Sequence, residues 1–258
     1  MPKMPALFLG HGSPMNAIED NAFSRGWRDA AARVPRPKSI LCISAHWETR
    51  GIAVTAGAQP ETIHDFGGFP QALFDVRYPA PGDPALARRV AALLAPQPVH
   101  LDETRGLDHG TWGVLIAMYP NADIPVVQLS MPVGQSGANH YGLAKALAPL
   151  RDDGVLIVGS GNIVHNLRLW GSRDERLMAS WVRFNTTVKQ RIAAGDHGAL
   201  ADYMDLDPDA ALAVPTPEHY LPLLYTLAVQ APHEAVTFFN DDGPGGIFMT
   251  SAAMGLGL

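Results

Sequence analysis

The chain has 258 residues, 47% of them hydrophobic and 17% charged, which excludes a disordered polymer and supplies a core large enough for one α/β unit. Its net charge is −6 and its pI about 5.9, with no run of Lys or Arg, so nucleic acid is excluded as an expected partner. No apolar run approaches the roughly 18 residues of a membrane span, residues 1–5 open no signal-peptide pattern, and a lone cysteine, Cys42, fits a reducing, cytoplasmic compartment.

Short apolar runs alternate with helical patterns along the chain. Residues 6–9 read as a first strand, ending at Gly10-His11-Gly12-Ser13-Pro14, and a helix follows over 21–34. Strand 39–44 is apolar at nearly every position, as strands covered on both faces are, and it holds Cys42 as a small core residue. Strand 52–55 comes next. Residues 56–82, rich in proline and glycine, read as a long ordered loop, and such loops usually serve function.

The pattern continues with a helix over 83–95, a helix after His109, strand 125–129, a helix over 138–150 and a second fully apolar strand at 155–158. Helices over 174–194 and 218–230 carry acid near their starts, where the helix dipole favours it, and Pro217 precedes the second. The last expected strands are 235–239 and 246–250. This alternation predicts an α/β fold: a single domain over 1–258 with a mostly parallel central sheet flanked by helices.

Histidine carries the chemistry. Of the 10 histidines, His11 and His46 end strands, His165 follows the run at 155–158, His109 precedes a helix, and His219 falls in the first turn of the helix over 218–230. In parallel α/β sheets the carboxyl ends of the strands form the ligand crevice, so a metal site is expected there. Neutral imidazole is the commonest metal ligand, and three of them leave positions open for substrate. Singly, each histidine is better explained as pinning a turn; their joint placement beside glycines that permit close approach points to a site. His100, His140, His197 and His233 are expected at the surface or at helix ends.

Other chemistries lack their motifs. Val164 stands where a dinucleotide fingerprint starting at Gly159 needs its third glycine, and Val158 where a nucleophile elbow around Ser160 needs its first. No P-loop, H-E-x-x-H or paired C-x-x-C is present.

Six segments occur in order: Gly10-His11-Gly12-Ser13-Pro14, Ser44-Ala45-His46-Trp47, His64-Asp65-Phe66-Gly67-Gly68-Phe69-Pro70, Asp108-His109-Gly110-Thr111-Trp112, Gly159-Ser160-Gly161-Asn162 and Glu218-His219-Tyr220-Leu221-Pro222. Together they resemble the DOPA-dioxygenase-type, class III extradiol ring-cleavage dioxygenases, relatives of the protocatechuate 4,5-dioxygenase catalytic subunit. The resemblance spans nearly the whole chain. It implies a non-haem iron(II) enzyme that opens the ring of a small catechol with O2. It implies metal ligation by His11, His46 and His219, with Glu218 as the alternative third ligand of the protocatechuate branch. It also implies acid–base roles for His165 and His109, and the expected substrate contacts are Ser13, Trp47, His64 and Phe66, with Phe69 as a further wall.

A neutral three-histidine set also suits zinc, which has no redox chemistry. The same residues therefore admit a zinc hydrolase with Glu218 or Asp108 as base, or a non-enzymatic binding protein of the Memo-like kind on the same fold.

Overall fold

The computed structural model describes residues 3–243 and 245–256. Met1 and Pro2, part of the segment read as lacking a signal peptide, lie outside them. The described residues form one sheet of eight strands: β1 Ala6–Gly10, β2 Ser39–Thr49, β3 Ile52–Thr55, β4 Val99–Asp102, β5 Val126–Pro132, β6 Val155–Gly161, β7 Val236–Phe239 and β8 Ser251–Met254. Their order is β4-β3-β5-β2-β6-β1-β8-β7. The central four, β5, β2, β6 and β1, run parallel, while β3 meets β5 and β8 meets β1 antiparallel.

Helices cover both faces: α1 Ala22–Arg33, α2 Gln71–Phe74, α3 Pro84–Leu93, α4 His109–Met118, α5 Gly137–Ala144, α6 Glu175–Ala193, α7 His197–Ala201, α8 Ala210–Ala213 and α9 Leu221–Ala228. Two hydrophobic cores result, one per face. Phe8, Leu41, Ile43 and Ile157 point toward α6 and α9; Leu7, Leu9, Cys42 and Val158 point toward α1 and α4. Alternate residues of the same strands feed opposite cores, which is why these strands read as continuously apolar. Among the described residues, no helix is long and apolar enough to cross a membrane.

Five local expectations change. β4 was not expected: Val-His-Leu-Asp is a half-exposed edge strand without an apolar run. The last strand lies at Ser251–Met254 rather than 246–250, because that segment bonds to the loop after β6 instead, with Asn166 donating to the Gly246 carbonyl (2.7 Å) and Phe248 to that of Val164 (3.1 Å). The helix expected over 138–150 gives way after Ala144 to a 3₁₀ segment, Lys145–Arg151, that contains Pro149, which has no N–H to continue an α-helix. The helix expected over 218–230 starts at Leu221, with Pro222 in its first turn, so His219 precedes the helix. His140 is likewise buried rather than superficial, its Nδ1 lying 3.0 Å from the Tyr225 hydroxyl in the core.

Candidate active site

The carboxyl ends of β1, β2 and β6 bring five imidazoles together. His11 follows β1, and its N–H donates to the Gly161 carbonyl at the end of β6 (3.0 Å). β2 pairs with β6 only as far as Ser44, so His46 projects just beyond that pairing. His109 opens α4 behind its N-cap Asp108, which accepts the Thr111 N–H (3.1 Å). His165 follows β6. His219 is fixed to the same strand end by the Asn162 N–H, which donates to its carbonyl (2.8 Å).

Glycines make this approach possible. A Cβ at Gly161 would collide with the His219 carbonyl oxygen, one at Gly159 with that of Pro222, and one at Gly110 with Ser44 Oγ and the His46 ring. The space these glycines leave is filled by protein rather than by a ligand.

Neighbouring groups fix which nitrogen each ring presents. Ser160 Oγ lies 3.0 Å from His11 Nδ1 and donates its single proton to the Gly110 carbonyl. His11 Nδ1 must then be the donor, which leaves Nε2 with a bare lone pair. His219 Nδ1 faces Glu218 Oε1 at 3.0 Å, so its Nε2 is free in the same way. His46 turns Nδ1 toward Asp65 Oδ2 (3.6 Å) and sets Nε2 3.2 Å from His11 Nε2.

Nitrogens 3.2 Å apart share either the N–H of one neutral ring or a cation held between them. Burial first, then the neighbouring imidazoles, holds His11 and His219 well below the usual imidazole range. Burial and His109 bring His46 to about 4, against partial opposition from Asp108, Asp65 and Glu218. Near neutral pH the cluster is therefore uncharged, and its bare ring nitrogens suit a metal cation. The ring centroids of His11, His46 and His219 form a near-equilateral triangle of 5.1, 5.1 and 5.3 Å. Three imidazoles bound end-on to one tetrahedral ion place their centroids about 5 Å apart.

His109 is set less regularly, 4.0 Å from His46 and 5.8 Å from His11, although ring nitrogens of these three fall within 4.8 Å of one another. Ligand atoms of His165, Glu218 and His219 form a second such group. His165 stacks on His219, with centroids 3.4 Å apart and planes inclined by 8°.

Asp65, which carried no role in the sequence reading, sits behind two of the rings. Its Oδ1 accepts the His109 N–H (2.9 Å) and lies 3.0 Å from His109 Nδ1. Burial acts to raise its carboxyl, but the contacts with His109 prevail and hold it at about 2. Asp108 is fully buried and occupied by Ser44, Gln128 and Thr111, which removes it from the candidate bases.

The imidazoles floor a cavity of about 350 Å³ whose walls include Ser13, Phe66, Phe69, Leu167, Trp170 and Ile247. Ser13 and Phe66 thus stand where substrate contacts were expected. Trp47 and His64 do not line it: Trp47 is buried under the Arg105 guanidinium, and His64 packs against Phe66 and Trp112 with Nε2 at the Val76 carbonyl. Leu167, Trp170 and Ile247 went unread because no local pattern separates an apolar rim residue from a core one.

The family described as the catalytic LigB subunit of aromatic ring-opening dioxygenase matches residues 4–237. The chain belongs to this family of ring-opening dioxygenases. Its relatives there include 4,5-DOPA dioxygenase extradiol of Escherichia coli K12, 52% identical over 240 residues, covering 91% of this chain and 88% of that one. The Beta vulgaris protein of the same name is 39% identical over 248 residues, covering 93% and 92%. The crystal structure of an uncharacterized E. coli K12 protein matches this ring-opening dioxygenase with a TM-score of 0.84 and 44% identity, over 98% of this chain and all of that one. The dioxygenase is thus an enzyme of the extradiol class, and the reading as a non-catalytic binding protein on the same fold gives way.

The buried imidazoles make the metal-free dioxygenase acid-sensitive. His11, His46, His165 and His219 all have lowered folded-state values, chiefly through burial. Above the unfolded value of about 6.5 both states are neutral and nothing is lost. As pH falls from there toward about 4, the unfolded chain takes up protons that the folded one refuses. Each such imidazole then removes up to about 1.4 kcal/mol per pH unit. Thermal melting of chelator-treated protein is expected to show a steep fall in Tm across this window, and a flat profile would contradict the neutral cluster.

Proposed function

We propose that the whole chain, 1–258, is one cytoplasmic catalytic domain that binds iron(II) through His11, His46 and His219 and opens the ring of a catechol-type, DOPA-like substrate with O2. The near-equilateral triangle of these three rings is the observation that carries the reading. Bound iron supplies the redox link between an electron-rich ring and O2, chemistry that no side chain here provides.

The protein's part is orientation and proton transfer. Ser160 and Glu218 hold His11 and His219 with their Nε2 atoms inward. His165, which lines the cavity and is held by burial at about 4, is neutral at physiological pH. It is placed to take a proton from a catechol hydroxyl and to return one as the ring opens. His109, fixed by Asp65, is the second group available for proton transfer. Phe66 and Ser13 line the cavity in which the substrate would sit. Zinc suits the same neutral donors and would occupy them without supporting turnover.

The test is anaerobic loading with iron(II) or zinc, followed by O2 and a panel of catechols. Iron-loaded protein is expected to consume O2 only with a catechol and to form a yellow ring-opened product, whereas zinc-loaded protein does neither. Zinc-dependent ester or amide hydrolysis without O2 uptake would instead establish the hydrolase.

A further inference from the structure

We infer that Asp65 is the positioning residue of this site: its one carboxylate sets the tautomers of both His46 and His109, so that each ring turns a bare Nε2 to the site. The inference rests on the metal-dependent reading above and names the residue that prepares two of its imidazoles.

A carboxylate accepts hydrogen bonds and donates none. Asp65 Oδ1 lies 3.0 Å from His109 Nδ1, which is buried and makes no hydrogen bond to any other described residue. A lone pair this close to a carboxylate oxygen would be repelled, so Nδ1 carries the ring proton. Nε2 is then the bare nitrogen left for the cavity that His109 lines. The ring N–H meets Oδ1 obliquely, a geometry that catalytic hydrogen bonds often show before substrate tightens them. Oδ2 stands 3.6 Å from His46 Nδ1, beyond hydrogen-bond length but close enough for its charge to favour a proton on the facing nitrogen. Of the two ways in which His46 and His11 can share their 3.2 Å contact, Asp65 thus favours the one with a cation between bare nitrogens. One side chain serves a proposed metal ligand and a proposed proton carrier together.

The fold holds this carboxylate in place. Asp65 belongs to the long loop between β3 and α3, but the residues leading to it are clamped against those leading to α4. The Ile63 N–H donates to the Leu107 carbonyl (2.8 Å), the Leu107 N–H to that of Glu61 (2.7 Å) and Trp112 Nε1 to that of Ile63 (2.8 Å). The two backbones lie so close that a Cβ at Gly106 would collide with the Glu61 carbonyl oxygen. The His109 N–H, unpaired within α4 because it opens the helix, closes the clamp on Oδ1 (2.9 Å). The segment that carries His109 therefore also fixes the group that orients its ring, as a preorganised site requires.

Asp65→Asn and Asp65→Ala, made in the full-length protein, pull the two effects apart. Asn keeps an oxygen for the His109 N–H groups, which turns its amide nitrogen toward His46, donor facing donor. It is expected to preserve the His109 tautomer and to weaken zinc binding by about 10–100-fold, the usual worth of a ligand's supporting partner. Ala frees His46 to adopt the binding tautomer, so zinc binding is expected to fall less than with Asn, while His109 loses its preference. Zinc affinity is read by competition with a chromophoric chelator. The tautomer is read from imidazole ¹⁵N shifts of zinc-loaded protein, with His109 assigned by the signal missing from His109→Ala. At saturating iron, Asp65→Ala is expected to lower kcat by about 10–100-fold with little change in KM, and Asn to restore most of it. A merely structural role would make Ala, the larger truncation, worse in every readout. Ala binding zinc more weakly than Asn would overturn the inference, as would wild-type His109 carrying its proton on Nε2, a measurement that needs neither variant to fold. If the tautomers and the zinc order are as expected while iron-loaded protein opens no catechol ring, the ring-opening assignment fails and the positioning role stands.

Discussion

His11→Ala and His46→Ala are each expected to give folded protein that retains no tightly bound metal and no ring-opening activity. The two rings present Nε2 atoms 3.2 Å apart, close enough to reach one ion together. Two remaining ligands rarely hold a divalent ion against water, and the loss should far exceed the ~10–100-fold cost of removing a supporting partner such as Ser160 or Glu218. Metal content after dialysis, read beside circular dichroism, decides the matter. A variant that kept one equivalent of metal would remove that residue from the ligand set.

His165→Ala is expected to behave differently, keeping its metal while turnover falls by about 10²–10⁴-fold, the usual worth of one acid–base group. His165 is stacked on His219 and lines the cavity, beside the three-ring triangle rather than part of it. Iron content, melting temperature and single-turnover ring opening on one preparation separate the possibilities. Loss of metal would make His165 a ligand, in keeping with its grouping with Glu218 and His219. Loss of stability with activity retained would reduce it to pinning the turn, through its N–H to the Ala213 carbonyl (2.9 Å). Full activity and stability would pass the proton transfers to His109.

The sequence revealed the parts of this site that follow from strand logic. His11 and His46 could be placed because apolar runs that stop at glycine or at a polar cluster mark the carboxyl ends of buried strands. His219 reached the site by another route than the first turn of a helix: it sits before α9, tied to β6 through Asn162. Asp65 could be quoted within a motif but not given a task, because its partner His109 lies 44 residues away and only the folded loop brings them together. The edge strand β4 and the rim residues Leu167 and Trp170 shared one difficulty. Partial exposure removes the periodic contrast on which pattern reading depends.

Gly159 and Gly161 give this architecture a hidden point of control. Residues with no chemistry of their own set how closely the segment carrying His219 lies on β6. A methyl group at Gly161 would lever that segment outward, and His165, stacked on His219, would lose its packing partner in the same movement. A drifting lineage or a mutant library could thus spare every histidine and still alter which ion the pocket prefers. With the proposed ligand set, ions that tolerate distorted coordination would be favoured over those that demand a compact one, which would let bystander positions retune the metal.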